Sequence, residues 1–485
     1  MAPAQDVPPQ VQAALKRADA EVAKITAVPK NKRTFENTLG ALDDLSVRLD
    51  NETALITFMQ FVSTDAKERE MSRNADEAIS NWAVELGKNE KLYNAVKQYA
   101  DTRPQLAGER KRLLDHSMRD YRRAGMMLPK DKRERLKSIE MELNKLGIQF
   151  EQNIAEDATK VPLLRSELKG VPDDVLGRQK TAADLVLMGL DGPSYGAVMD
   201  YCEVPETRQK MWVPYRRRAA SKNVAVLEQL IKLRAEAANL LGFKNTTDWM
   251  IETRMAKNSE TVAKFYSDLQ PIVRKKALLD MEEFRSFKRA KTGDANAELN
   301  PWDYAFYKNL LKKEKYNVDS EKVAEYFPMQ SVVDGLFGVT QSLYGLEYKE
   351  ITSQAKSLGL PVWHPDAKLY EVWDKAKNKS IGRFYLDLYP RENKYSHAAH
   401  WRLFPRKKWG NGEIQIPLSA LVCNFTKPTA EKPSLLPHDE VETFFHEFGH
   451  LLHSMLTETE FGQFSGTAVA RDFVEAPSQM FENWV

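Results

Sequence analysis

The sequence predicts a mainly α protein with a small β-sheet beside one long apolar helix near its C-terminal end. Three observations carry this. Ala, Leu, Glu, Lys and Arg recur with helical apolar spacing through most of the chain. Period-two alternation is confined to a few short aromatic-rich stretches after Tyr344. An apolar helix opens at Pro437 with Asp439, Glu440 and Glu442 in its first turns, where proline and negative charge both suit a helix N-terminus.

The elements follow in order. Residues 11–25, 36–50, 53–99, 105–123 and 130–155 read as helices; in the last, Leu136, Ile139, Leu143, Leu146 and Phe150 recur at steps of three and four. Residues 159–196 are punctuated by Pro162, Gly170, Pro172, Gly177, Gly189, Gly192 and Pro193, with a short strand at Leu185 to Met188. This marks a boundary region. Helical pattern resumes from Tyr195 to Ala290, is interrupted by the loop Thr292 to Asn300, and returns as far as Tyr344. Ile381 to Tyr389, Ala398 to Phe404 and Ile414 to Phe425 read as strands, and Gly466 to Trp484 as a last helix. No fixed-period repeat points to a solenoid.

Composition excludes several function classes. With 485 residues the chain exceeds the size at which one core stops growing, so subdomains are expected. Apolar residues make up 42% and charged residues 29%, the balance of a globular chain rather than a disordered one. The 71 basic residues against 69 acidic ones give no general attraction to nucleic acid or anionic lipid. Basic runs such as Arg216 to Arg218 and Arg274 to Lys276 lie in helical pattern among acids and read as solvated faces. No stretch nears the roughly 18 consecutive apolar residues of a membrane-spanning helix. Residues 1–10 have no apolar signal-peptide core, so a cytoplasmic compartment is favoured, with a periplasmic or secreted one if a signal peptide was removed. The two cysteines, Cys202 and Cys423, make no disulfide framework.

The chemistry concentrates in His446-Glu447-Phe448-Gly449-His450, and six of the eight histidines fall between His397 and His453. His446 and His450 are four apart and lie one turn apart on one helix face, where two imidazoles can grip one metal ion. Zinc prefers such nitrogen ligands and, in a catalytic site, keeps a position for water. Glu447 would lie beside that water as a general base. Gly449 inside the helix costs about 1 kcal/mol relative to alanine, which suggests a close approach by another segment. A third ligand is required. A third histidine six residues past His450 is excluded, because Leu456 stands there. Glu458 and Glu460 are too close in sequence for the chain to leave the helix and return. Glu475, Glu482 and Asp472 remain, and spacing does not choose among them. His453 lies on the same stripe but is read as packing or support, since three successive turns do not easily serve one ion.

Beyond this helix, the blocks 386–399 (LDLYPRENKYSHAA), 420–428 (ALVCNFTKP), 438–453 (HDEVETFFHEFGHLLH) and 464–484 (FSGTAVARDFVEAPSQMFENW), with 34–39 (TFENTL) and 299–311 (LNPWDYAFYKNLL) upstream, resemble the thimet oligopeptidase, neurolysin and oligopeptidase A family of zinc peptidases. The resemblance implies a two-lobed, mainly α, zincin-like fold with a deep substrate channel and a small sheet beside the zinc helix. It implies an N-terminal helical region over 1–200 and a peptidase catalytic region over 201–485. One Zn2+ would be held by His446, His450 and Glu475, with Glu447 as catalytic base and short peptides as substrates. Ala420 to Phe425, or the strand through His397 to Arg402, would pair with the extended substrate. Neither nucleic acid nor membrane is an expected partner. Family chains continue past the position of Val485 into a glycine- and tyrosine-rich loop that stabilises the oxyanion, so the catalytic region reads as incomplete at its C-terminal end. The alternative expectation is therefore a fragment, or one part of a split protein with a complementing C-terminal chain, that binds zinc or peptide but is inactive alone.

Overall fold

The computed structural model describes residues 7–485, apart from 156, 178, 191, 319, 392, 396, 426 and 429–432. Helices dominate, and the described chain divides into two compact units. One comprises residues up to Arg133 together with 320–485, and the other spans Glu134–Asp319. The division by compactness differs from the sequence division at residue 200, because the N-terminal helices fold with the C-terminal part of the chain.

The unit spanning Glu134–Asp319 holds a small antiparallel sheet, β1 (Lys160–Leu164), β2 (Lys180–Ala182) and β3 (Leu185–Gly189), with β3 central. Only β3 was legible in advance. The helical pattern from Tyr195 onward resolves into Gly192–Tyr201, Pro205–Arg216, Ala220–Leu240, Thr246–Ile251 and Ser259–Thr292. Gly293 ends the last of these at φ +69°, the left-handed position that glycine adopts without penalty. Asp303 is fully buried and paired with Arg208 at 2.6 Å and Lys288 at 2.7 Å, tying three helical segments of this unit together.

The other unit carries the larger sheet. Its strands are β4 (Leu346–Glu350), β5 (Lys368–Asp374), β6 (Lys379–Asp387), β7 (Ala399–Phe404) and β10 (Leu418–Val422), in the order β4-β5-β6-β10-β7, with β8 (Lys407–Lys408) and β9 (Ile414–Gln415) as a separate pair. β10 runs parallel to β6, and the other neighbours are antiparallel. Alternation sorts the side chains to two faces. Val372, Phe384, Leu386 and Leu421 pack with Phe444, Phe448 and Leu451 of helix His438–Met455 and with Leu336 of helix Met329–Tyr344. Leu369, Tyr385, Ala420 and Val422 pack on the opposite side with Phe58, Met59 and Val62 of helix Ala41–Val62. β10 is buried at every position, which explains its unbroken run of small and apolar residues.

Three helical expectations are corrected. Residues 36–50 and 53–99 do not form two helices. A π-helical turn at Glu36–Gly40 leads into Ala41–Val62 without a break near residue 51, and the chain then turns at 63–65 and 88–89. Asp65 and Asn89 cap the helices Ala66–Gly87 and Glu90–Ala100 by accepting the backbone N–H groups of Lys67 and Leu92. The final helix covers only Glu475–Glu482, because Gly466 sits at φ +59°, outside right-handed helical space. β4 and β5 were not predicted as strands.

The loop between helices His438–Met455 and Glu475–Glu482, which includes a 3-10 turn at Gly462–Phe464, is tied to other segments by polar contacts. Asp43, fully buried on helix Ala41–Val62, accepts the N–H of Gly462 at 3.1 Å and of Gln463 at 3.0 Å, and pairs with Lys407 at 2.7 Å. Glu109 accepts the N–H of Glu460 at 2.8 Å. Arg402 of β7 donates to the carbonyls of Gly462 and Ser465 at 3.1 and 3.0 Å. Asp43→Ala strips Lys407 of one of its two carboxylates and leaves two loop N–H groups unpaired, so chemical denaturation is expected to show a loss of about 3 kcal/mol or more. Phe448→Ala, which empties the sheet-facing core, is expected to cost about 3–5 kcal/mol in the same measurement.

Candidate metal centre

Helix His438–Met455 buries Val441, Phe444, Phe445, Phe448, Leu451, Leu452 and Met455. With that stripe against the sheet, His446, Glu447 and His450 fall at the edge of the buried face and remain half-buried. The two imidazole rings lie 5.0 Å apart, nearly perpendicular. Helix Glu475–Glu482 crosses at Gly449, where a Cβ would stand 2.7 Å from the Ser478 Cα and 3.0 Å from the Pro477 carbonyl oxygen. The close approach expected from a glycine in mid-helix is therefore present, and Pro477 and Ser478 of the second helix make it.

This crossing brings Glu475 to the histidines. Its Oε2 lies 3.3 Å from His446 Nε2 and 3.1 Å from His450 Nε2, and Ser478 Oγ donates to the same oxygen at 3.1 Å. The three ligand atoms offered by His446, His450 and Glu475 all lie within 4.8 Å of one another. Bond lengths of about 2.0–2.2 Å in tetrahedral geometry put neighbouring ligand atoms roughly 3.3–3.6 Å apart. The two nitrogen–oxygen separations match that edge length within a few tenths of an ångström. Two imidazole nitrogens and one carboxylate oxygen are also the donor set that zinc takes, so these residues fit a single ion.

Of the carboxylates left open by spacing, Glu475 joins the histidines. Glu482 contacts the far side of one of them, its Oε1 2.6 Å from His446 Nδ1. Asp472 is exposed and lies outside this cluster. Glu458 and Glu460 are engaged by Lys377 and Arg110. His453 takes no part in the cluster: its ring lies edge-on to Phe473, and it lines a cavity of about 350 Å3 bordered also by Tyr344, Leu452 and Phe481.

The backbone N–H of His400 in β7 faces Glu447 and favours its ionised form. Burial pushes its carboxyl above the usual range, Glu475 adds to the rise, and His446 and the His400 N–H oppose it. His400 was expected as part of the histidine enrichment and of the strand through His397 to Arg402, with no role of its own. Its imidazole meets Ser419 Oγ at 3.1 Å, its ring centroid lies 6.3 Å from that of His450, and loss of solvent with nearby His450 pushes its pKa down to about 3. It is therefore a neutral ring facing the candidate centre. Its place in the stretch Ala398 to Phe404, read as a strand, was the available signal.

β7 ends the sheet and pairs on one side with β10, whereas β10 is paired on both sides. Ala420 to Val422, the strand part of the Ala420 to Phe425 candidate, therefore have no free edge for a substrate strand.

A mainly α fold, with two histidines of a His-Glu-x-x-His helix joined by a glutamate from a second helix, points to a metallopeptidase. The chain belongs to peptidase family M3, whose model matches residues 198–485. It is a metallo-oligopeptidase of that family. A thimet-like oligopeptidase of Dictyostelium discoideum is 36% identical over 482 residues, covering 96% of this chain and 71% of its own length. Oligopeptidase A of Escherichia coli is 35% identical, covering 93% and 68%. Saccharolysin of Saccharomyces cerevisiae is 31% identical, covering 95% and 68%. Among solved structures, an oligoendopeptidase F from Bacillus anthracis aligns with a TM-score of 0.51 at 16% identity, over 98% of this chain and 70% of the other. PZ peptidase A aligns with a TM-score of 0.52 at 14% identity, over 97% and 67%. Both share the fold. Among the described residues no helix is long and apolar enough to cross a membrane.

Gly449→Ala tests the crossing. Alanine gains about 1 kcal/mol in helix propensity. Its Cβ must however displace backbone atoms of the second helix, at about 1–3 kcal/mol for overpacking. A net loss of stability by denaturation, despite the better helix former, is the expected outcome.

Proposed function

We propose that the protein hydrolyses short peptides as a zinc-dependent enzyme, with one Zn2+ held by His446, His450 and Glu475 and with Glu447 as general base. The observation that supports this most is the convergence of two Nε2 atoms on one carboxylate oxygen at 3.3 and 3.1 Å. Zinc bound there supplies Lewis-acid polarisation of the scissile carbonyl and acidifies water toward a pKa of about 7.

The chain's own groups do the rest. Glu447, next in sequence to His446 and raised in pKa by burial, takes a proton from the attacking water and returns it to the leaving amine. The His400 N–H favours the ionised form of that carboxylate. Ser478 holds Glu475 through its hydroxyl. β7 pairs with β10 on one side only, and its outer edge, beyond the His400 N–H that faces Glu447, is the one proposed to pair with an extended peptide alongside helix His438–Met455. The catalytic region is proposed to span 201–485, a reading supported by the family match from residue 198. Cys202 and Cys423 are both buried and unpaired, which supports a reducing, cytoplasmic setting.

Turnover of an internally quenched peptide, measured with and without chelator, tests the reading. Chelation is expected to abolish cleavage and added zinc to restore it. Glu447→Gln is expected to lower kcat by at least 10²- to 10⁴-fold while bound zinc, measured by elemental analysis, stays at one per chain. Cleavage that survives in Glu447→Gln would remove the proposed base.

A further inference from the structure

Helix Glu475–Glu482 carries a carboxylate at each end of its eight residues. Seven positions make nearly two turns, so Glu475 and Glu482 share a face. Both reach His446, one on each ring nitrogen: Glu475 Oε2 lies 3.3 Å from Nε2, and Glu482 Oε1 lies 2.6 Å from Nδ1. An ionised carboxylate only accepts, and a neutral imidazole has one N–H. The shorter contact lies at the charge-assisted end of the hydrogen-bond range, so it takes the proton. That leaves the Nε2 lone pair directed at the cluster shared with His450 and Glu475. His450 has no such support among the described residues, where its buried Nδ1 meets no hydrogen-bond partner.

We propose that Glu482 is a positioning residue for the metal: by accepting the Nδ1–H of His446 it fixes the ring's orientation and the tautomer that leaves Nε2 free to bind. The proposal rests on the zinc-site reading above. A carboxylate behind a ligating histidine also raises the basicity of the ligand, and loss of such a partner characteristically costs 10- to 100-fold in metal affinity. One short helix would thus supply both a ligand and the support for another, and any shift of that helix would loosen two of the three ligands together.

The test is the zinc dissociation constant of the full chain, measured by competition with a chromophoric chelator, for wild type, Glu482→Gln, Glu482→Ala and His446→Ala. Glu482→Ala is expected to bind about 10- to 100-fold more weakly, and Glu482→Gln, which keeps an acceptor but loses the charge, to fall between it and wild type. Metal-free melting temperatures should stay together, since Glu482 is partly exposed and outside the apolar core. Equal affinity in all three Glu482 forms, with His446→Ala weak, overturns the positioning role and leaves the zinc site standing. Wild type binding no better than His446→Ala overturns the zinc site, and this proposal falls with it. In the metal-free protein, 15N shifts of labelled histidine, assigned by difference from His446→Ala, are expected to show Nδ1-protonated His446 in wild type and a change of tautomer in Glu482→Ala. The same tautomer in both overturns the proposal.

Discussion

The candidate centre depends on one steric fact, the absence of a side chain at Gly449. Two helices cross there with backbone nearly touching backbone, at a separation that a methyl group would fill. Because the approach is so close, a carboxylate of ordinary length on the second helix reaches the two imidazoles on the first. A wider crossing would leave Glu475 short of His446 and His450. The glycine weakens its own helix slightly, and packing against the sheet makes up the difference, since the remaining face of helix His438–Met455 is almost entirely apolar and buried.

The sheet sets where that helix lies. Alternate residues of β6 and β10 serve two cores, one shared with helix His438–Met455 and the other with helix Ala41–Val62. An N-terminal helix some four hundred residues away in sequence therefore braces the strands beneath the candidate centre. It also steers the loop that leads to Glu475, through Asp43 and the N–H groups of Gly462 and Gln463. Much of the block 386–399 serves the same end. Lys394 is buried and donates to Asp387, Tyr389 and Cys423, while Arg391 grips Asp387 in a fork at 2.8 and 2.7 Å. Burial pushes the Asp387 carboxyl up, but these cations hold it below the usual range. Part of what marks the family in sequence is thus the clamp that joins β6 to the end of β10.

Long helices with strong periodicity were legible, as were the strands of β6, β7 and β10, because their alternation or burial is written in side-chain type. β4 and β5 were not, since charged Glu350 and Glu371 fall at the same strand parity as Tyr348 and Leu369 and break the alternation. The breaks at 63–65 and 88–89 were missed because each new helix is announced only by its capping residue, Asp65 or Asn89, which accepts the backbone N–H of Lys67 or Leu92, a signal of one residue inside a long helical pattern. The last helix was drawn too long because nothing around Gly466 announces that Ser454 would crowd any Cβ placed there.

The sequence by itself determined the two-histidine grip, since a four-residue spacing on a helix leaves the imidazoles on one face whatever surrounds them. It also determined Glu447 as the neighbouring acid and excluded a third histidine. Tertiary structure decided the rest. Glu475 and Glu482 are both glutamates on one face of one helix, and their order along the chain does not say which reaches Nε2 and which Nδ1. That depends on where the second helix crosses the first and on how the polar clamps on the intervening loop set its approach, contacts made between segments that no local pattern records.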